Sequence, residues 1–219
     1  MVKIKGPFWE FLEGELEERA FLLDEGDFLL RYEFAEVSTY RLILEAVASG
    51  RTTLAEIKDY AGMRGTDLTP YLRNLAAAGF IKRARPVLGR GRYRYYLSDF
   101  FLSFWFRFIS PNLAPIEEGL YTAEDIRREY DAYLGRVFEQ IAREVVVREI
   151  RAGRLPRVQR LGPQWWATRR GAREVDLLGV GRGAAVLAEA KWSDGVDAEE
   201  IAEGLLERAA ELPLPDGSP

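Results

Sequence analysis

The stretch "REVDLLGVGRGAAVLAEAKW", Arg173 to Trp192, sets Glu174, Asp176, Glu189 and Lys191 among apolar residues. Read as strands, it is a hairpin with a glycine-rich turn. With Gly181 to Ala184 as the turn, Val180 faces Ala185, Leu178 faces Leu187, Asp176 faces Glu189 and Glu174 faces Lys191. Side chains alternate along a strand, so the four charged residues share one sheet face. The other face carries Val175, Leu177, Val186, Ala188 and Ala190, suited to packing on a helix. Directly opposed side chains have Cβ atoms about 4.5–5.5 Å apart, and like charges there repel. A hard divalent cation between Asp176 and Glu189 reverses that sign. Mg²⁺ takes one or two carboxylates with waters and phosphate oxygens, and it activates water and stabilises charge on a phosphoryl group. Lys191 could orient that water or stabilise the transition state. The spacing therefore suits metal-assisted phosphodiester hydrolysis. The residues leave a second reading equally open: a solvated sheet face with a Glu174–Lys191 ion pair contributing about 0–1 kcal/mol and needing no ligand.

The elements that must position this hairpin are legible around it. "RVFEQIAREVVVREIR" is a strong helix, "QWWATRRGAREVDLLGV" and "AAVLAEAKW" are strands, "DAEEIAEGLLERAAEL" is a closing helix, and "PLPDGSP" should fray. Upstream, Ser38 and Thr53 are candidate caps for two helices ended by Gly50 and Gly62. A third helix begins near Thr66 or Asp67, with Pro70 in its first turn, and stops at Gly79. The strand-like runs "FIKRARPVL" and "YRYYLS", joined by "GRGR", complete the order of a winged helix-turn-helix. The chain divides into a helical segment 1–36, a winged helix-turn-helix 37–98, an aromatic helical connector 99–134, a hairpin-bearing domain 135–212 and a tail 213–219. The class is α+β.

Basic residues suggest a polyanionic partner. Lys82, Arg83, Arg85, Arg90, Arg92 and Arg94 interleave with Tyr93, Tyr95 and Tyr96 in the hairpin, a pattern that can track phosphates. The third helix offers Arg73 and Asn74 for base edges. DNA is the favoured partner; a protein-docking or dimer surface is the alternative, and the acidic total of -4 keeps it open. A second run, Arg148 to Arg173 with Trp165 and Trp166, leads into the charged hairpin; alternation lets only one of the two indoles point inward. The cluster Phe100 to Phe108 reads as core, and the apolar side of the segment from Pro7 to Arg31 seeks a partner.

The 219 residues contain neither cysteine nor histidine, which removes disulfides, Cys/His zinc sites, thiol nucleophiles and Ser-His-Asp triads. Carboxylates, Lys, Arg, Tyr or a hard metal remain. The start "MVKIKGPFWEF" is no signal peptide, and "FFLSFWFRFI" is far shorter than the roughly 20 residues of a membrane span. A cytoplasmic protein without membrane contact is expected.

Asp176, a hairpin, then Glu189-x-Lys191 resembles the PD-(D/E)XK nuclease superfamily, and Glu139 in "RVFEQIARE" matches the glutamate that superfamily often places on the preceding helix. The wider layout, "GRYRYYLSDFFLSFWFRFI", "YLGRVFEQIARE", "WW", "REVDLL" and "EAKW", looks like the C-terminal region of archaeal-type AAA/STAND-like ATPases over about Phe8 to Leu212. The resemblance implies a winged helix followed by an α/β/α nuclease-like domain. It implies a site of Asp176, Glu189, Glu139 and Lys191 holding Mg²⁺ or Mn²⁺ on Asp176 and Glu189, with Glu139 supporting the metal or its water. No G-x-x-x-x-G-K-[ST] occurs, so no ATPase activity is expected of this chain alone, and a P-loop ATPase domain or a second copy is the expected protein partner. The chain stops where the superfamily usually adds strands and a further helix, the mark of a shortened domain. The rival reading is a non-catalytic DNA- or protein-binding regulatory module that works with that ATPase domain in cis or in trans.

Overall fold

In a computed structural model, residues 7–17, 21–169 and 171–212 are described. Arg170 of the second basic run and the tail 213–219 lie outside them. The chain forms mixed α and β structure in two compact units. Among the described residues, one takes in 7–83 and 93–130; the other takes in 84–92 and 131–212.

The first unit opens with helices α1 (Pro7–Glu17) and α2 (Phe21–Glu33). Their Leu12, Leu16, Leu23 and Leu30 are buried, so most of the apolar side foreseen to need a partner finds one in this unit. Phe11, Phe21, Phe28 and Tyr32 stay exposed. Three helices follow, α3 (Ser38–Ala48), α4 (Leu54–Tyr60) and α5 (Thr69–Ala77), then strands β1 (Ile81–Ala84) and β2 (Arg94–Leu97). Thr53 caps α4 as expected, in a reciprocal capping box with Glu56. Ser38 does not cap α3: it is the helix's first residue, and both its N–H and hydroxyl donate to Glu36. Gly50, Gly62 and Gly79 all have positive φ just past helix ends, where a side chain would be strained.

The two strand-like runs prove shorter than expected. Only four residues of each pair, with a bridge from Arg94 to Thr53 at the edge. Residues 85–93 leave the sheet because Pro86, Val87 and Leu88 are buried elsewhere, in the second unit.

The aromatic run also differs from a plain helix. α6 (Phe100–Phe104), capped by Asp99, passes into a π turn at Trp105–Ile109, a 3₁₀ turn at Ser110–Asn112 and α7 (Leu113–Glu117), which accommodates Pro111 and Pro115. Trp105, Phe106 and Phe108 are fully buried, as expected of a core segment. Trp105 donates its indole N–H to the carbonyl of Leu22 at 2.8 Å, and α2 approaches the ring closely through Gly26. A methyl group on Gly26 would stand 2.2 Å from Cδ2 of Trp105. Gly26→Ala is therefore expected to destabilise this unit by about 1–3 kcal/mol despite the better helix propensity of alanine, read as a lowered urea midpoint with unchanged slope.

Helix α8 (Ala123–Arg151) runs without a break through Gly135, where the sequence had suggested a boundary. An interior glycine costs about 1 kcal/mol relative to alanine and is tolerated where backbone must be approached. Here the Cβ of Trp192 is the neighbour, 4.0 Å from where a Gly135 methyl would lie. Beyond α8 come β3 (Arg160–Thr168), β4 (Gly171–Gly181), β5 (Ala184–Ala188) and α9 (Ala198–Ala210), the last capped by Asp197. The strands form an antiparallel sheet in the order β3-β4-β5. Its core is Val87, Leu88, Val175 and Leu178, covered by Trp166, Leu205 and others. As alternation required, Trp166 is the indole inside that cluster.

Among the described residues no helix is long and apolar enough to cross a membrane.

Candidate functional site

The hairpin register is the one read from the sequence over its first half. Val180 pairs with Ala185 and Leu178 with Leu187, and the ladder continues to Gly181–Ala184 around a two-residue turn with Gly183 at positive φ. It does not continue to Asp176–Glu189, because β5 ends at Ala188. The chain leaves the ladder just where two carboxylates would be forced opposite one another. The Asp176 carboxylate instead accepts the backbone N–H of Ala190 at 2.8 Å.

The strict division of faces is corrected too. β3 pairs Gly162 with Leu178 but Gln164 with Val175, so Asp176 and Leu177 together oppose Pro163. Proline has no N–H to give the ladder, and the result is a bulge centred on the candidate acid. The bulge shifts the phase of alternation, which is why Val175 and Leu178, three positions apart, lie in one core cluster. Pro163 in "LGPQWW" was the available signal.

The Glu189 side chain is enclosed, 7% exposed. It accepts from Lys191 Nζ at 2.8 Å and from Arg208 Nη2 at 3.1 Å. Lys191 thus forms its ion pair with Glu189. No spacing rule points to Arg208; it arrives from α9, and its Nε is buried without a hydrogen-bond partner among the described residues. The hydrogen bond to Glu189 holds the Lys191 ammonium above its usual pKa, and Asp176 adds to the effect. A cleft of about 640 Å³ opens beside Glu189, Lys191, Arg173 and Arg208, with Asp197 and Glu200 of the α9 N-terminus on its other side.

Glu139 reaches the same neighbourhood from α8. The residue is exposed by surface area, yet nearby protein partly desolvates its carboxyl. That burial first, then the nearby Asp176 and Glu174, push its pKa up to about 7, against the pull of Arg136. Asp176 is raised as well, by burial above all and then by Glu189, with the Ala190 N–H opposing. Glu174 is exposed. Four carboxylates therefore share one neighbourhood in a single unit. Among the described residues no group of three or more Asp and Glu converges tightly enough to hold a metal ion.

A raised carboxyl pKa makes folding favour the protonated form. The unfolded chain ionises Glu139 from about pH 4.3 upward, the folded chain only near 7, so this group lowers stability progressively between those values. Glu139→Gln is expected to flatten that fall and to be the more stable protein at pH 8, with little difference at pH 4. Urea melts at the two pH values check it.

The basic residues separate between the units. Arg73 is exposed on α5, whereas the Asn74 amide donates to the Tyr40 hydroxyl at 2.9 Å. Lys82 donates to the carbonyl of Ser98, Arg83 lies over the Tyr93 ring, and Arg94 sits in the bridge with Thr53 near Glu56. Arg90 and Arg92 are exposed, but they belong to the loop packed in the second unit. Of the later run, Arg154 pairs with Glu149, Arg173 with Glu211, and Arg160 donates to the carbonyl of Val87.

Residues 105–203 match the family model DUF234, described as "Archaea bacterial proteins of unknown function". Glu139, Asp176, Glu189 and Lys191 all fall inside the match. The chain is also 43% identical over 199 residues to Uncharacterized protein MJECL04 of Methanocaldococcus jannaschii, across 88% of this chain. It spans 44% of that relative's length. No solved structure matches the chain.

Proposed function

We propose that the chain is a DNA-binding protein with a PD-(D/E)XK-type site for metal-dependent phosphodiester hydrolysis, borne on the unit of α8, β3–β5 and α9. The observation that carries this reading is the meeting of Glu139, from a helix, with Asp176, Glu189 and Lys191, from a hairpin. Asp176, Glu189 and Lys191 are singled out by residue type and spacing and Glu139 by the superfamily resemblance, and each lies within electrostatic reach of others in the set. The donor chemistry suits Mg²⁺ or Mn²⁺: Asp176 and Glu189 are hard-oxygen donors that would hold the ion, with Glu139 beside them. Such an ion supplies Lewis acidity and an acidified water. Glu139, its pKa near 7, is suited to exchange a proton with water, and Lys191 to meet charge developing on a phosphate. On the same reading α3–α5 with β1 and β2 form a winged helix-turn-helix, with Lys82, Arg83 and Arg94 for phosphates and Arg73 and Asn74 for base edges, Asn74 once freed from Tyr40. Arg90 and Arg92, exposed on the second unit, would meet phosphates there in their own right.

A second reading is favoured by one particular contact. Glu189 is already neutralised by Lys191 and Arg208, so its burial needs no metal. The fold would then serve as a non-catalytic DNA- or protein-binding regulatory module, working with a P-loop ATPase domain in cis or in trans. The two readings part in one assay: plasmid and single-stranded DNA incubated with Mg²⁺, with Mn²⁺ and with chelator. Metal-dependent nicking supports the first; salt-sensitive binding without cleavage supports the second.

A further inference from the structure

The first unit contains a cleft of about 470 Å³ between α3, the α4 end, the π turn and α8. Its volume lies in the range of small-molecule sites, about 300–1,000 Å³. It takes no part in the reading above, and its lining is charged and aromatic.

Arg107 stands at its centre. The guanidinium pairs with Glu129 through Nη2 and lies over the Phe108 ring, but its buried Nε has no hydrogen-bond partner among the described residues. Buried polar groups in folded proteins are almost always paired, so a donor left over beside a cleft is a place for a ligand acceptor. Arg51 lines the same cleft with an exposed side chain that has no ion pair among the described residues. Both arginines act on the Tyr60 phenol, which fixes them to one neighbourhood. Glu129 already pairs with Arg107, whereas no carboxylate among the described residues forms an ion pair with Arg51.

Opposite in character is Glu45, 7% exposed and anchored by a 2.5 Å hydrogen bond from the Ser110 hydroxyl. A carboxylate this enclosed accepts hydrogen bonds and repels anions. Tyr60, Phe106 and Tyr121 supply ring surface, and the Tyr121 phenol, its pKa pushed up to about 12 by burial and by Glu129, keeps its proton as a donor at neutral pH. The molecule that fits has an anionic group with several acceptor oxygens for the arginine forks and phenols. It also has a neutral or cationic donor for Glu45.

We propose that this cleft binds a phosphate monoester bearing a hydrogen-bond donor, its phosphate on Arg51 and Arg107 and its donor on Glu45. A sugar phosphate and a nucleoside monophosphate share that chemistry. Calorimetric titration of the full chain with inorganic phosphate, ribose 5-phosphate, AMP and GMP tests it. At least one ester is expected to bind saturably, on the order of tenfold more tightly than inorganic phosphate. Arg51→Ala, at an exposed side chain, should weaken that binding by about tenfold or more with unchanged thermal melting. Glu45→Gln, which can still accept from Ser110, should narrow the gap between ester and inorganic phosphate. Ribose 5-phosphate binding as tightly as AMP assigns the donor to sugar hydroxyls; binding of AMP or GMP alone assigns it to a base against the aromatic walls. Saturable binding by none of the four, equal binding of phosphate and esters, or full affinity in Arg51→Ala overturns the proposal.

Discussion

Asp176→Asn is expected to lower Mg²⁺-dependent DNA cleavage by about 10²–10³-fold, the usual effect of removing one group that stabilises charge in a transition state. Asparagine is the informative choice. Its amide oxygen can still accept the Ala190 N–H, so the turn out of β5 keeps its anchor while the negative charge is lost. Lys191→Ala should cost a similar factor, and both proteins should bind DNA with unchanged salt dependence. Arg208→Ala separates chemistry from scaffolding. On the catalytic reading Arg208 occupies Glu189 without joining the reaction, so its loss should leave cleavage in place at saturating Mg²⁺ and lower the Mg²⁺ needed. On the regulatory reading the Lys191–Glu189–Arg208 group is a structural bridge. Breaking it then leaves an enclosed carboxylate half-compensated and shows only as lost stability. Cleavage indifferent to both Asp176→Asn and Lys191→Ala would remove the site assignment.

Local physics explains which parts of this site could be read from the chain. The hairpin register follows from a turn and two apolar runs, all within Arg173–Trp192, and Val180–Ala185 and Leu178–Leu187 pair as the sequence dictates. Glu139 is singled out only by the superfamily resemblance, not by any spacing rule of its own helix. The departures are tertiary. Arg208 meets Glu189 only once α9 docks on the sheet, and no spacing rule connects residues 189 and 208. The bulge at Asp176 depends on which strand lies beside β4, although Pro163 marks the place. The capping of α4 by Thr53 was legible, whereas the cap expected from Ser38 on α3 does not form, because Glu36 takes both donors of the serine from outside the helix. The burial of Pro86, Val87 and Leu88 was hidden most completely, since "ARPVLGRGR" between two strands is equally the composition of an exposed, phosphate-tracking loop.

That loop yields the largest stability effect. Leu88 is 4% exposed within the β3–β4 core, and its backbone is held by a residue 76 positions away. The Leu88 N–H donates to Gln164 Oε1 at 2.7 Å, and Gln164, fully buried, returns an N–H toward the Leu88 carbonyl at 3.5 Å. A buried amide is costly unless satisfied, and here one side chain and one backbone segment satisfy each other. Leu88→Ala should therefore destabilise the second unit by about 2–4 kcal/mol, within the usual range for a buried leucine. Gln164→Leu should cost at least as much although it buries more apolar surface. It strands the Leu88 N–H and carbonyl, each at about 1–3 kcal/mol. The ordering is the test, because a loop resting on the sheet by hydrophobic contact alone would make Leu88→Ala damaging and Gln164→Leu neutral or stabilising. Urea unfolding followed by tryptophan fluorescence reads it directly, since Trp166 packs on the same cluster. A piece of the protein made from residue 131 onward lacks Val87 and Leu88 altogether. It should expose the Val175–Leu178 face and bind a hydrophobic dye that the full chain does not.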